Sequence, residues 1–206
     1  MAKELMNEAE RFLLQHWEEA RLMEESMEAV RNKYKEVFQR IVDAVTEAHP
    51  ELDASAVYAT QFWGQGYIGF GRKSWPGGDT NWPSGLWMSN IRLENLATEN
   101  SDQPSATIEI SSKVKKGNFD TAAAKAELTT ATQELFSPDE LDRANKSDTG
   151  NVLLRFAAPS KSELMAMLAD GDGQQFVARF VAQFDLMAKL IPVLDKIFQQ
   201  FTASKP

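Results

Sequence analysis

Two acids and a lysine, Glu94, Glu109 and Lys113, are the residues here whose types could hold a divalent metal and activate water. In a nuclease-like site the lysine stands two residues beyond the second acid, on the same strand face. In "IEISSKVKK" the gap from Glu109 to Lys113 is four, and Glu109 alternates with Ile108 and Ile110 as a solvated sheet face would. A metal-dependent hydrolase or degenerate nuclease is therefore the alternative reading, with Glu94, Glu109 and Lys113 as its catalytic candidates. The remaining catalytic chemistry is thin. The chain has no cysteine and two histidines, His16 and His49, so no thiolate site, disulfide or thiol nucleophile can be built. No metal cluster follows from the histidine spacing. "PSGLW" around Ser84 lacks the upstream glycine of a nucleophile elbow.

Two motifs imitate ligand loops. "GQGYIG", Gly64 to Gly69, has the spacing of a dinucleotide fingerprint, but an alternating strand pattern follows where a helix must begin to bind pyrophosphate. Gly64 and Gly66 read as turn residues, and Gly69 and Gly71 as space for large rings. "DGDG", Asp170 to Gly173, would need oxygen ligands at alternate positions and a glutamate at the twelfth, where Val181 stands. It reads as a break between helices capped by Asp172. No cofactor or metal is expected.

The strongest recognition signal is "SWPGGDTNWPSGLW", Ser74 to Trp87. Trp75 and Trp82 each precede a proline, which fixes the backbone and holds the ring at little further entropic cost. With Asp79, Asn81, Arg72 and Lys73 nearby, these indoles suit anchoring a partner chain, stacking on a sugar or clamping a cation. The competing role is a lid over a small core. Trp63 and Trp87 sit in strand patterns and read as core.

The elements that position this loop follow from periodicity. Residues 1–48 read as one long helix, with a heptad stripe of Ala20, Met23, Met27, Val30, Tyr34, Val37, Ile41 and Ala44. Ala9, Phe12, His16 and Trp17 extend the stripe with a shift in phase, and Pro50 ends the helix. Residues 56–112 switch to period two, with strand patterns at 56–63, 67–73, 86–94 and 106–112 forming an antiparallel meander, and a tight hairpin at Gln65 and Gly66. Residues 119–146 read as helical, with Ser137 as a cap and Pro138 in the first position of a second helix. Residues 151–158 are a fifth strand candidate. Residues 160–203 read as helical, opened by a Ser160–Glu163 capping box and kinked by Pro192. Phe176, Phe180, Phe184, Met187, Ile191, Leu194, Phe198 and Phe201 form a second near-heptad stripe. The two stripes are expected to pair antiparallel, or to meet the same element in a second copy.

The fold class is α+β: a small antiparallel sheet of about four to five strands flanked by helices. At 206 residues the chain makes one domain, or one compact domain with a long helical extension. A net charge of −8 opposes nucleic acid and anionic membrane, and the basic run "SSKVKKGN" lacks aromatics for stacking bases. The start is too charged for a secretory signal and no long apolar run exists, so a cytoplasmic location is expected. The function expected is a non-enzymatic interaction protein. It contacts a protein partner through the Trp-rich loop, with terminal helices for packing or homodimerisation. A carbohydrate or small-molecule site at Trp75 and Trp82 is a further alternative.

Overall fold

A computed structural model describes residues 7–52, 66–76, 84–111, 120–141 and 151–203. They divide into two compact units, Met1–Glu36 and Val37–Pro206. Among the described residues there are seven helices and a four-stranded antiparallel sheet, the α+β arrangement that the switch of period implies.

In the first unit, α1 (Glu8–Gln15) starts at a capping box. Asn7 accepts from the Glu10 N–H at 2.9 Å, and Glu10 accepts from the Asn7 N–H at 2.7 Å. The single helix expected over residues 1–48 is interrupted: α1 ends at His16, whose backbone leaves helical angles, and α2 (Trp17–Ala48) begins afresh. The phase shift of the apolar stripe falls at this break. Each helix thus sets its own stripe, with the Phe12 and His16 rings 4.4 Å apart at the junction.

In the second unit, the sheet is a meander in the order β1 (Ile68–Phe70), β2 (Gly85–Ser89), β3 (Ser105–Glu109) and β4 (Val152–Phe156). The first strand pattern, at 56–63, lies outside the described residues, as does Trp63. The 151–158 candidate is the edge partner of β3, with a register irregularity at Ile108/Glu109. The 86–94 pattern is shorter than expected. It ends at Ser89, Asn90 takes a left-handed φ of 61°, and Leu93–Ala97 form a short helix, α3. A β-like alternation of apolar residues at Ile91 and Leu93 is overridden by that turn.

Gly66 does what a turn glycine must. Its φ is 77°, and its carbonyl accepts from the Ile91 N–H. A strand follows it, so the glycine motif carries no helix for phosphate. Gly69 faces Trp87 across the β1–β2 pair, and a Cβ there would overlap the indole. Trp87, with no exposed surface, thereby packs flat over a strand that only glycine leaves open.

The remaining helices cover the sheet. They are α4 (Thr121–Leu135), α5 (Lys161–Ala169), α6 (Gln174–Ala188) and α7 (Ile191–Ala203). Asp120 caps α4, and the Ser160–Glu163 box opens α5 as its sequence implies. Pro138 to Glu140 form a turn in place of the helix start expected after Ser137. At α6 the cap residue is Gly173, not Asp172, although the Asp172 carboxylate still accepts from the Gln174 N–H at 3.0 Å. The proline effect is complete. The helix stops at Lys189–Leu190 and restarts at Ile191, with Pro192 in the first turn of α7, where its missing N–H costs nothing.

The two stripes meet in a different sense from that expected. Arg40 donates to the Asp172 carbonyl at 2.7 Å, the Phe38 and Phe180 rings lie 6.4 Å apart, and His49 contacts Asp185 at 2.7 Å. Val37 and Arg40 lie beside Gly173 and Asp172 at the start of α6, while His49, just past the end of α2, lies at Asp185 near the end of α6, so the C-terminal part of α2 and α6 run parallel. The apolar face there is Val37, Phe38, Ile41 and Val45, a 3.6-residue drift from the heptad that Ala44 would continue. One turn further along the same face, Phe184 of α6 stacks edge-on against Phe70 of β1 at 4.7 Å.

Candidate functional site

The base of the Trp-rich loop is held by α7. Asp195 and Phe198 are three residues apart and so share one face of that helix. The Asp195 carboxylate accepts from the Trp75 indole N–H at 2.7 Å and from the Arg72 guanidinium at 2.5 Å. Phe198 meets the Trp75 ring edge to face at 5.4 Å. Trp75 is only 3% exposed, so its indole serves as an anchor in the core and not as a ring offered to a ligand. Arg72 is half-buried in the same contact, and Lys73 beside it is exposed.

Ser84 closes the loop. The Pro76 carbonyl accepts both its N–H, at 3.1 Å, and its hydroxyl, at 2.7 Å, while its Oγ accepts from the Ser111 N–H at 3.0 Å. Pro76 and Ser84 are both buried. Trp82, Asp79 and Asn81 lie outside the described residues.

The structure separates the acids of the hydrolase reading. Glu94 belongs to α3, where Arg92 donates to it at 3.1 Å, and not to a strand. Glu109 ends β3 and accepts from the Thr107 hydroxyl at 2.7 Å. The β2–β3 register pairs Gly85 with Glu109 and Ser89 with Ser105. Glu109 is thus at one end of the sheet and Glu94 lies beyond the other, about 13 Å or more of strand away at roughly 3.3 Å per residue. One metal cannot bridge that span. Among the described residues no group of three or more His, Asp or Glu side chains is placed to share an ion. Lys113 lies outside the described residues.

Sequence reasoning missed two polar anchors. Asp195 is one; its signal was a lone acid in the apolar run "IPVLDKIF" of a terminal helix. Lys161 is the other, buried at the start of α5. Its ammonium donates to the Thr98 carbonyl at 3.0 Å, to the Ser101 hydroxyl at 2.6 Å and to the Ser101 carbonyl, tying α5 to the turn after α3. Nothing in "SKSEL" distinguishes this lysine from an ordinary solvated one.

The first unit holds the other notable surface. Trp17 is 63% exposed, Met23 66%, Met27 52% and Val30 50%, and Phe12, Leu13 and Leu14 of α1 are exposed as well. On α2 the heptad stripe is therefore open to solvent at Met23, Met27 and Val30 and buried at Tyr34, Val37 and Ile41. A run of large apolar side chains at regular spacing on one helix is a surface to be covered.

Compared with known proteins, the chain matches no family model, no curated protein and no solved structure.

Proposed function

We propose that this chain is a non-enzymatic, cytoplasmic interaction protein whose principal docking element is the exposed apolar face of its N-terminal helices. One observation carries the reading: Met23, Met27 and Val30 stand open at heptad spacing on α2. Solvating such a seam is unfavourable by about 25 cal/mol per Å² of apolar surface, so a partner that covers it gains that term. The Trp-rich loop supplies the second contact through Trp82, Asp79 and Asn81, which the sequence sets between the anchored residues Pro76 and Ser84. Among the described residues no helix is long and apolar enough to cross a membrane.

Site-specific photo-cross-linking in cells tests this. A photoreactive residue placed at Met27 should give a discrete protein adduct, and the same residue at Glu25, off the seam, should not. No adduct at Met27, or equal adducts at both positions, would overturn the reading.

A further inference from the structure

The seam also identifies the partner that it fits, an inference that rests on the interaction reading above. We propose that the first unit binds a second copy of this chain, the two α2 helices pairing antiparallel along Ala20, Met23, Met27 and Val30. These four residues hold the a and d positions of two successive heptads, the arrangement that seats one helix against another. Central methionines adapt to each other's shape, and Ala20 leaves room for the facing Val30.

Charge sets both the partner and the direction. The exposed part of α2 begins acidic, with Glu18, Glu19, Glu24, Glu25 and Glu28 around Arg21, which pairs with Glu18 and Glu25 of its own helix, and turns basic at Arg31, Lys33 and Lys35. A parallel pair would lay acid on acid, with Glu19 beside the partner's Glu24. An antiparallel pair lays acid on base. With Met23 seated on the partner's Met27, the flanking positions bring Glu19 to the partner's Lys33 and the exposed Trp17 ring to the partner's Arg31. The two-fold axis repeats each contact, so the surface is self-complementary. One pair opposes it: Glu24 meets the partner's Glu24 near the axis. Residues 8–33 carry seven acids against four bases, which disfavours an anionic membrane or nucleic acid as the cover.

Sedimentation equilibrium of the full chain, loaded from about 1 to 100 µM, tests the pairing. A dimer that dissociates on dilution is expected. Met23→Glu with Met27→Glu should abolish it, and Glu24→Gln should tighten it about twofold by removing a like-charge pair. Direction is read by disulfide trapping, since the chain has no cysteine of its own. Ser26→Cys, next to the axis, should cross-link to itself. Ala20→Cys should cross-link only when mixed with Val30→Cys. A chain monomeric throughout the range overturns the proposal, as does a dimer that survives the double glutamate substitution. Self-cross-linking of Ala20→Cys without that of Ser26→Cys overturns the antiparallel sense. A monomeric chain that still yields an adduct with another protein at Met27 defeats self-pairing alone; a monomer with no adduct defeats the interaction reading too.

Discussion

The Trp75 indole N–H donates to the Asp195 carboxylate at 2.7 Å, joining a loop near the start of the sheet to the C-terminal helix 120 residues later. The same carboxylate holds Arg72, so one side chain fixes both ends of the Arg72–Trp75 turn. Asp195→Ala leaves a half-buried guanidinium and a buried indole N–H without this acceptor. A loss of about 1–3 kcal/mol is expected, from the usual strength of bonds to charged groups. Urea unfolding measures it, and a red shift of tryptophan emission should accompany it. An unchanged midpoint would mean that the turn is held by ring packing alone.

Gly69 predicts a steric effect. Gly69→Ala places a methyl group in the Trp87 ring, and overpacking of this kind costs about 1–3 kcal/mol. Thermal unfolding of Gly69→Ala, compared with Gly69→Ala in a Trp87→Leu background, checks the cause. The alanine should be far better tolerated where the indole is absent.

Lys161 predicts a polar one. Lys161→Met keeps much of the aliphatic stem but removes the donor to Thr98 and Ser101. The expected loss is about 1–3 kcal/mol, because the carbonyls remain in place without it. Hydrogen exchange should rise first in α3 and the 98–101 turn.

These anchors show what was legible in the sequence and what was not. The short apolar run Leu86, Trp87 and Met88, the Ser160–Glu163 box and the break near Pro192 are local, and each settles an element within a few residues. The parallel sense of α2 and α6 is not local. It depends on how the intervening chain crosses the sheet, which no stripe encodes. Asp195 and Lys161 escaped for a related reason: a charged residue on a helix reads as solvated until the fold brings a buried partner to it. The binding role expected of Trp75 was one of two readings that its W-P context allows, and its burial supports the lid.

Glu140 gives a pH dependence. The Ser137 N–H and then the Ser137 hydroxyl hydrogen-bond its carboxylate and hold its pKa below the ordinary glutamate value, with Lys189 adding a smaller pull in the same direction. A carboxyl depressed in the folded state stabilises fully above its unfolded value, about 4.3, and that contribution fades as pH falls through the lower folded value. Carbon-detected NMR titration should find Glu140 below the ordinary glutamate value. Glu140→Gln should flatten the acid limb of the stability curve slightly. A Glu140 that titrates at or above the reference would contradict the Ser137 contact.

The open seam of α2 is proposed to serve a partner and not the chain's own fold. Thermal unfolding of Met23→Glu with Met27→Glu, at a concentration dilute enough for monomers, tests it most directly. A stability within about 0.5 kcal/mol of the unaltered chain per substitution is expected, as for surface positions. A loss of about 2 kcal/mol or more per methionine, the range for core truncation, would place the seam in the chain's own core and rule out a surface kept for a partner.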